Sequence, residues 1–314
     1  MSLSEFGLIE RFFASCGASD ASLILGVGDD AALLSPPPGR QLALTQDTLV
    51  EGVHFLANAD PADLGHKALA VNLSDLAAMG AEPAWATLGL TLPRVDAGWL
   101  EAFSSGLCAL ARAVGLTVVG GDTTQGPLAV SIAALGLVPS GAALRRDGAR
   151  PGDLILVSGT LGDAGLALRL LKAGGSVPQS LARHLHRPQA RLALGRALVG
   201  RAHAAIDLSD GLAADLRHML VASGVGATLE LERLPLSPEV AASGDWSLPL
   251  SAGDDYELCF CLPPEKASLL NELERAGGCR VTQVGRIEAL AGLRLRDPAG
   301  RPFHLQRQGY EHFT

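Results

Sequence analysis

The sequence has few lysines, few aromatic residues and no long apolar run. Lysine occurs only at positions 67, 172 and 266, the formal net charge is −8, and aromatic residues make up 4% of the 314 residues. Proteins that bind nucleic acids or anionic membranes usually carry a basic face, so this composition argues against both kinds of partner. No apolar run approaches the roughly 20 residues of a membrane span, and the N-terminus lacks the apolar core of a signal peptide. We therefore expect a soluble cytoplasmic protein.

The cysteines are odd in number and have no C-x-x-C spacing. They stand at positions 16, 108, 259, 261 and 279. Cys259 and Cys261 alternate with Phe260 in a strand-like run, so their side chains should share one face of a sheet. A structural zinc site would need further ligands that the pattern does not supply. The sequence therefore predicts reduced thiols in the core.

Several signatures of nucleotide enzymes are absent. No G-x-x-x-x-G-K-[ST] loop occurs, and the H-R-D and D-F-G segments of protein kinases are missing. GVGDDA (26–31) matches the dinucleotide fingerprint, but the following ALLSPPPGR contains three prolines, which prevent the helix that this fingerprint requires. Two glycine-rich segments, GGDTTQG (120–126) and SGTLGDAG (158–165), remain candidates for binding a nucleotide through backbone N–H groups.

Helical and strand-like segments alternate through the whole chain, which predicts two α/β domains with mixed sheets. We expect a first domain at 1–140, a connection at about 140–153 and a second domain at 150–314. The first begins with an amphipathic helix at about 4–16. A second helix follows Asp60 or Asp63 as N-cap, and a third ends at Gly115.

Two short motifs occur twice. NLSDLAA (72–78) resembles DLSDGLAA (207–214), and GVGDDAAL (26–33) resembles SAGDDYEL (251–258). Their order is reversed between the halves, so a simple tandem duplication does not explain them.

Aspartates follow strands or glycine turns at many points: Asp29, Asp30, Asp47, Asp75, Asp122, Asp207, Asp210, Asp254 and Asp255. Each one alone is most simply a turn residue or a helix N-cap. Like charges that gather at strand ends repel, however, and hard cations such as Mg²⁺ make such a cluster favourable. Asp75 lies in the apolar stretch VNLSDLAAMGAEP, where a buried carboxylate needs a partner. Arg145 and Arg146 form either a solvated pair or the source of a guanidinium that binds a phosphate.

Taken together, the segments resemble the thiamine-monophosphate kinase family, which shares a superfamily with aminoimidazole ribonucleotide synthetase and selenophosphate synthetase. The segments that carry the resemblance, in order, are EFGLIERFF, GVGDDAALL, TQDTLVEGVHF, GHKALAVNLSDLAAMGAEP, GGDTTQGP, IDLSDGL, GDDYELCF and QGYEHF. They extend over essentially the whole chain.

The resemblance implies ATP-dependent phosphorylation of thiamine monophosphate to thiamine diphosphate with several Mg²⁺ ions. It also implies a homodimer in which the N-terminal domains, which bind ATP and Mg²⁺, pair into a barrel-like sheet, while the C-terminal domain contributes to the substrate cleft. The implied metal ligands are Asp30, Thr45, Gln46, Asp47, Asp75, Asp122, Asp207 and Asp210. Nucleotide contacts fall on Gly121, Asp122, Arg146 and Ser209, and substrate contacts on His54, Asp254 and Tyr310.

This chain departs from the family at two of these positions. Asp254 stands where the family has Glu, one methylene longer, so its substrate contact could pass through water. Gln46 stands where small hydroxyl residues are common, and its main-chain carbonyl could serve as the ligand.

No general base is expected, because the acceptor phosphate is largely ionised at pH 7 (its second pKa is about 6). Direct in-line transfer assisted by metal ions suffices. The alternatives are another ATP-dependent enzyme of the superfamily, a nucleotide- and Mg²⁺-binding sensor without turnover, and a metal-dependent phosphatase. The Cys-Gly-Lys segment of selenophosphate synthetase is absent. GGDT stands where aminoimidazole ribonucleotide synthetase has GGET, and the C-terminus is EHFT rather than the cysteine of the hydrogenase-maturation relative.

Overall fold

A computed structural model of the chain describes residues 5–18, 22–306 and 309–310. Its residues divide into two compact units, Met1–Leu76 with Ala81–Gly141 and Ala77–Gly80 with Ala142–Thr314. Ser4, where the predicted first helix begins, and most of the QGYEHF segment lie outside the described residues. Within the described ranges, the helices are all too short or too polar to cross a membrane.

The first unit contains three helices and six strands in the described ranges. They are α1 (Glu5–Phe12), β1 (Leu23–Leu25), β2 (Leu33–Leu34), β3 (Arg40–Val50), α2 (Pro61–Ala78), β4 (Glu82–Leu92), α3 (Ala97–Val114), β5 (Thr117–Gln125) and β6 (Ala129–Pro139). The main sheet has the order β3-β6-β4-β5, in which β4 and β5 are parallel and the other pairs antiparallel. The mixed sheet predicted from the sequence is confirmed.

This four-stranded sheet is open, with β3 at one edge. Along β6, Val130, Ile132 and Ala134 are buried, while the residues between them are half-buried. This alternation gives the sheet one face in the core and one face closer to solvent. The β1–β2 hairpin covers part of the second face around the fully buried Trp85. The edge strand leaves Leu42 and Leu44 exposed on that side, at 48% and 69%.

Helices α2 and α3 approach each other through glycines. A Cβ atom at Gly65 would lie 2.1 Å from the carbonyl oxygen of Phe103, and one at Gly106 would lie 1.9 Å from that of Ala62. Only glycine fits at either position, so each helix backbone packs directly on the other.

Capping residues fix where these helices begin and end. The Asp60 carboxylate accepts hydrogen bonds from the N–H groups of Ala62 and Asp63, which decides between the two N-caps predicted for α2. Helix α3 ends at Gly115, which has φ 76°, as predicted.

The N-terminal segment differs from the prediction in two ways. Helix α1 ends at Phe12 rather than near residue 16, and Cys16 forms a disulfide with Cys108 of α3. After Phe12 the backbone bonding leaves the α-helical spacing, since the Ala14 N–H donates to the Ile9 carbonyl five residues back and the Cys16 N–H to the Phe13 carbonyl three back. Gly17 then turns at φ 129° and pairs with Thr117. The prediction of a reduced thiol is wrong for these two cysteines. They are 92 residues apart, and spacing in the sequence does not reveal a contact that only the fold creates.

The second unit surrounds a seven-stranded sheet. Its elements are β7 (Leu154–Ser158), α4 (Asp163–Lys172), α5 (Gln179–His186), α6 (Leu192–Leu198), β8 (Ala204–Asp207), α7 (Leu212–Ser223), β9 (Gly226–Glu230), α8 (Pro238–Ser243), α9 (Ser247–Ser251), β10 (Leu258–Leu262), α10 (Leu270–Gly277), β11 (Val281–Glu288), β12 (Gly292–Arg296) and β13 (Pro302–Phe303). The order is β13-β12-β9-β11-β7-β10-β8, in which β12 and β9 are parallel and the other neighbouring pairs antiparallel. Both units are therefore α/β with mixed sheets, as the sequence predicts.

Cys259 and Cys261 lie on one face of β10 and are buried in the core that α7 covers. Both thiols are free, and burial raises their pKa values, so they remain protonated. The prediction of reduced core thiols is confirmed for this pair.

Candidate functional site

Four polar residues meet where strand β3 passes helix α2. Thr45 and Asp47 are two residues apart in β3 and share a face of the strand. The Thr45 hydroxyl donates a hydrogen bond to the Asp75 carboxylate. The Asp47 N–H donates to the Asn72 side-chain oxygen at 3.1 Å, and the fully buried Asn72 donates in turn to the Ala68 carbonyl. Asp75 in its apolar helix is therefore partnered by Thr45.

Gln46 occupies the opposite face of the same strand. Its side chain is exposed, whereas Thr45 and Asp47 on either side are half-buried. Strand alternation thus points the Gln46 side chain away from Asp75. A ligand role at this position would have to use the main-chain carbonyl.

A pocket of about 620 Å³ brings together the two glycine- and aspartate-rich loops of the first unit. Asp29 and Asp30 line it from the GVGDDA loop, and Gly121 and Asp122 line it from β5. The Asp29 carboxylate accepts the Asp30 N–H at 2.8 Å, which holds the loop in a tight turn. Apolar side chains, among them Ile9 and Phe13 of the N-terminal segment, form the rest of the wall.

Gly121 cannot be replaced without moving the backbone. Its φ is 150°, and a Cβ atom there would lie 1.9 Å from the Leu88 carbonyl oxygen. Leu88 and Gly89 of β4 lie opposite Gly121 and Asp122 in the parallel ladder. The glycine lets β5 follow β4 closely and presents Asp122 at the pocket.

The donor set of the first unit suits a hard cation. Asp30, Thr45, Asp75 and Asp122 all offer oxygen atoms, which Mg²⁺ prefers. Within the described residues, no three Asp, Glu, His or Cys side chains already form a group that could hold a metal ion. Mg²⁺ commonly takes only one or two carboxylates and completes its shell with water and substrate phosphates, so pairs of oxygen donors fit its needs.

His54 lies in the turn after β3 and is half-buried. The ring nitrogen Nδ1 of His54 accepts a hydrogen bond from the Val50 N–H at 3.0 Å. The main-chain N–H of His54 donates to the Val50 carbonyl. A ring nitrogen that accepts from the backbone carries no proton, so the neutral ring has its hydrogen on Nε2.

In the second unit, main-chain hydrogen bonds join three of the predicted site segments. The Asp254 N–H donates to the Ser209 carbonyl at 2.8 Å, and the Tyr310 N–H donates to the Asp210 carbonyl at 3.2 Å. Asp254 adopts φ 66°, a left-handed conformation that aspartate tolerates better than most residues. Asp207 ends β8 next to this group and is buried.

Asp215 is a member of this group that the sequence did not single out. Its carboxylate accepts hydrogen bonds from the N–H groups of Asp210 and Gly211, each at 3.1 Å. Burial, followed by the charge of Asp210, raises the pKa of Asp215 to about 7, while the two backbone hydrogen bonds and then the charge of Arg146 act in the opposite direction. Asp215 therefore fixes the turn that carries Asp210. An Asp four or five residues after a D-x-x-D segment at a helix start is the signal that could have indicated it.

Arg145 and Arg146 differ in their surroundings. Arg145 forms a two-point ion pair with Asp147, which raises the pKa of Arg145. Arg146 is exposed, and its main-chain carbonyl accepts a hydrogen bond from Ser223. Of the two guanidinium groups, that of Arg146 is the better placed to bind a phosphate.

The acidic residues after Asp254 hold the second unit together. Glu257 is buried, forms a two-point ion pair with Arg191 and accepts a hydrogen bond from the Ser158 hydroxyl. Asp255 accepts the Gly162 N–H at 2.8 Å, and burial raises its pKa well above the usual value. These two carboxylates bind the β7–α4 turn to the start of β10. The sequence did not predict this structural role.

The sequence matches the AIR synthase related protein, N-terminal domain, over residues 28–138, and the AIR synthase related protein, C-terminal domain, over residues 150–297. It is 46% identical to the thiamine-monophosphate kinase of Salmonella typhimurium, covering 100% of this chain and 99% of that protein. The enzyme of the same name from Escherichia coli K12 is also 46% identical, with the same coverage.

Solved structures are also similar to this chain. The thiamine-monophosphate kinase of Stenotrophomonas maltophilia K279a is similar with a TM-score of 0.83 at 46% identity, over 88% of this chain and 91% of that one. AaThiL complexed with AMPPCP and TMP is similar with a TM-score of 0.77 at 31% identity, over 99% of this chain and 97% of that one.

Proposed function

The chain belongs to the thiamine-monophosphate kinase family of AIR synthase related proteins, and from this membership we propose that it phosphorylates thiamine monophosphate with ATP to give thiamine diphosphate. The observation that carries the proposal is similarity to enzymes of that name over the entire chain, through both units. A related structure that holds an ATP analogue together with TMP supports the same pair of substrates.

We propose that the phosphoryl group passes directly and in line from ATP to the acceptor. The acceptor is itself a phosphate that is mostly ionised at pH 7, so no side chain has to remove a proton. The task of the protein is to bring two polyanions together and hold them in line. Stereochemical inversion at the transferred phosphorus is the expected result, and retention would instead indicate a phospho-enzyme intermediate.

We propose Mg²⁺ as the cofactor, because oxygen donors line the first unit's pocket and the β3–α2 contact. Asp30 and Asp122 would hold it at the pocket, and Thr45 and Asp75 at the contact, with Asp47, the Gln46 carbonyl, Asp207 and Asp210 as the further ligands carried over from the family. When bound, Mg²⁺ neutralises phosphate charge as it develops. The rigid α2 helix keeps Asp75 in place, and Asp215 keeps Asp210 in its turn.

The other site residues have binding and orienting roles in this proposal. The backbone at Gly121, the Ser209 hydroxyl and the Arg146 guanidinium bind the nucleotide phosphates. His54, Asp254 and Tyr310 bind thiamine monophosphate, and the Tyr310 ring could stack on the cationic thiamine. Residues 1–140 would then be the domain for ATP and Mg²⁺ and 150–314 the domain that contributes to the substrate cleft.

We also propose a homodimer that pairs the first units, in a cytoplasmic enzyme. The exposed Leu42 and Leu44 on edge strand β3 support this, since an open edge beside an apolar face favours pairing with a second copy. Leu44→Lys should convert the dimer to a monomer in sedimentation, whereas Val221→Lys, at an exposed apolar residue of α7, should not. A wild-type protein that sediments as a monomer would contradict the proposal.

The function is tested by ADP release. We expect ADP with thiamine monophosphate and Mg²⁺, but little with free thiamine, and none with EDTA. Binding of ATP without ADP formation would instead identify a nucleotide sensor. Phosphate release from thiamine monophosphate without ATP would identify a phosphatase.

A further inference from the structure

We propose that Cys16 and Cys108 form a thiol–disulfide modification site whose oxidation state sets the affinity of the first unit's pocket for nucleotide. The inference rests on the proposed function, because the ligand of that pocket is taken to be ATP. The reactant that would switch the site is a dithiol reductant, either a small molecule or a protein.

The disulfide is joined to strand β5, which supplies Gly120 and Gly121 to the pocket. The Val118 N–H donates to the Cys16 carbonyl at 2.9 Å, and the Ala18 N–H donates to the Leu116 carbonyl at 3.1 Å. The Thr117 hydroxyl donates to the Ala18 carbonyl at 2.6 Å. These bonds attach the chain around Cys16 to the first residues of β5, and the same strand continues to Gly121 and Asp122.

The same N-terminal segment also forms part of the pocket wall. Ile9 and Phe13 line the pocket, and Phe13 packs edge-on against Phe103, with ring centroids 6.5 Å apart. Phe103 and Cys108 both belong to α3. Apart from the covalent bond, the described contacts that hold the segment are non-covalent: the aromatic pair, the hydrogen bonds to β5, the buried Leu8 and an exposed ion pair between Arg11 and Glu101. Reduction removes the strongest link of this set.

The reaction balances with the reductant alone. One thiolate of the dithiol attacks a sulfur of the pair, the S–S bond breaks, and the second thiol then resolves the mixed disulfide. Two electrons and two protons pass to Cys16 and Cys108, while the dithiol becomes a disulfide. In reducing compartments, disulfides of this kind are usually transient and redox-sensing.

Access to the sulfurs links the reaction to the ligand. Cys16 and Cys108 are only 3% and 6% exposed, so the N-terminal segment must move before a thiolate can reach them. A nucleotide that packs against Ile9 and Phe13 opposes this movement. The equilibrium coupling has a separate cause: without the covalent bond the segment packs less firmly, so a nucleotide that packs on it binds the reduced form more weakly and, by the same factor, stabilises the disulfide against reduction.

The test compares full-length protein in the oxidised form, after treatment with dithiothreitol, and as the Cys16→Ser/Cys108→Ser variant. Cys279→Ser, which removes a half-buried free thiol of the second unit, is the control. Calorimetry measures AMPPCP binding with Mg²⁺, and hydrogen exchange follows the amides of Ala18 and Val118. Alkylation and mass spectrometry measure how fast dithiothreitol opens the disulfide with and without AMPPCP.

We expect the Kd for AMPPCP to rise about fivefold or more in the reduced protein and in the double variant, with faster exchange at both amides. Saturating AMPPCP should slow reduction, and Cys279→Ser should behave like the oxidised wild type. Equal Kd values and equal exchange in the oxidised and reduced wild type would overturn the redox coupling and leave the proposed function standing. Absence of AMPPCP binding in both forms would overturn the proposed function and the coupling with it.

Discussion

Residues 28–30 of the first unit and 253–255 of the second are both Gly-Asp-Asp, and the structure gives them different surroundings. In the first unit, Asp29 and Asp30 are exposed and line a pocket. In the second, Asp254 is held in a left-handed conformation and Asp255 is buried against the N–H of Gly162. The same tripeptide thus forms a pocket-lining loop in the first unit, whereas in the second it combines a turn at Asp254 with an internal brace at Asp255.

The contrast extends to the units as a whole. Among the described residues, the buried carboxylates all belong to the second unit: Asp153, Asp163, Asp207, Asp215, Asp255 and Glu257. The first unit buries Asn72, Ser74, Ser104, Thr117 and Lys67 instead. The described carboxylates of the first unit therefore stay within reach of solvent, as caps such as Asp60 or along the pocket, while several of those in the second hold turns together. Four substitutions test this difference.

Arg191→Ala should have the largest effect. It leaves the buried Glu257 charge without its ion-pair partner, which typically costs about 3–5 kcal/mol. Urea unfolding followed by circular dichroism measures the loss. The matched control, Arg301→Ala, removes an exposed pair with Asp297 and should change stability little. If both variants lost the same unfolding free energy, the buried Glu257 pair would be no more important to the fold than an exposed pair.

Asp75→Asn should remove activity and leave the fold nearly intact. The amide oxygen can still accept the Thr45 hydroxyl, but the charge available to a cation is lost. We expect a decrease in turnover of about 10²–10³-fold, the usual effect of deleting one electrostatic contact in a transition state. ADP release and thermal unfolding are measured on the same sample. A large drop in stability would mean that Asp75 is an internal brace like Asp255.

Asp255→Asn should flatten the dependence of stability on pH. The folded-state pKa lies above the unfolded value of about 3.9, so the folded protein binds the extra proton and stability falls as pH rises above that value. The slope lost from wild type is at most about 1.4 kcal/mol per pH unit. Urea unfolding at several values between pH 5 and 8 measures it.

The control for this slope is Asp297→Asn, which should leave it unchanged. The pKa of the exposed Asp297 is lowered by its bonds to Arg301, so this group is ionised in both states above pH 5. A wild-type slope that Asp255→Asn does not reduce would show that Asp255 is ionised when buried.

Asp96→Ala should have the smallest effect. The Asp96 carboxylate caps α3 by accepting the N–H groups of Gly98 and Trp99, and loss of such a cap costs about 1 kcal/mol. Asp96→Ser, which restores a capping oxygen, should recover most of it in thermal unfolding. A cost as large as that of Arg191→Ala would mean that exposed carboxylates of the first unit are also structural.

Local signals were sufficient for the elements that depend on local chemistry. The cap at Gly115 and the mixed strand pattern follow from residue types at short range, whereas the same signals left Asp60 and Asp63 as alternative N-caps of α2 until the structure decided for Asp60. The sequence did not predict the two- and three-residue strands β1, β2 and β13, because such short strands form only when they pair with another segment. The Cys16–Cys108 bond was not predicted either, because it depends on a contact between residues far apart in the sequence.

The candidate site divides in the same way. The motifs indicated which aspartates to examine, and the fold shows that Thr45 partners Asp75 and that Asp30 and Asp122 line one pocket. The motifs could not indicate that the Gln46 side chain lies on the opposite face of β3 from Thr45 and Asp47. They also could not indicate that Asp215 and Asp255 act as internal braces. Facing and burial are decided by register and packing across long stretches of chain.

The close approach of α2 and α3 has a consequence for mutational scanning. In the part of the chain that the structure describes, the atoms nearest to a Cβ at Gly65 or Gly106 belong to Phe103, Leu107 and Ala62, which do not line the pocket, yet neither position has room for a single methyl group. In a saturation library selected for growth, both positions should tolerate as little as Asp75, which α2 carries. Growth alone would then give the two packing glycines the same low tolerance as Asp75, the proposed metal ligand. An assay that measures protein abundance separately from turnover would distinguish the glycines from the ligand.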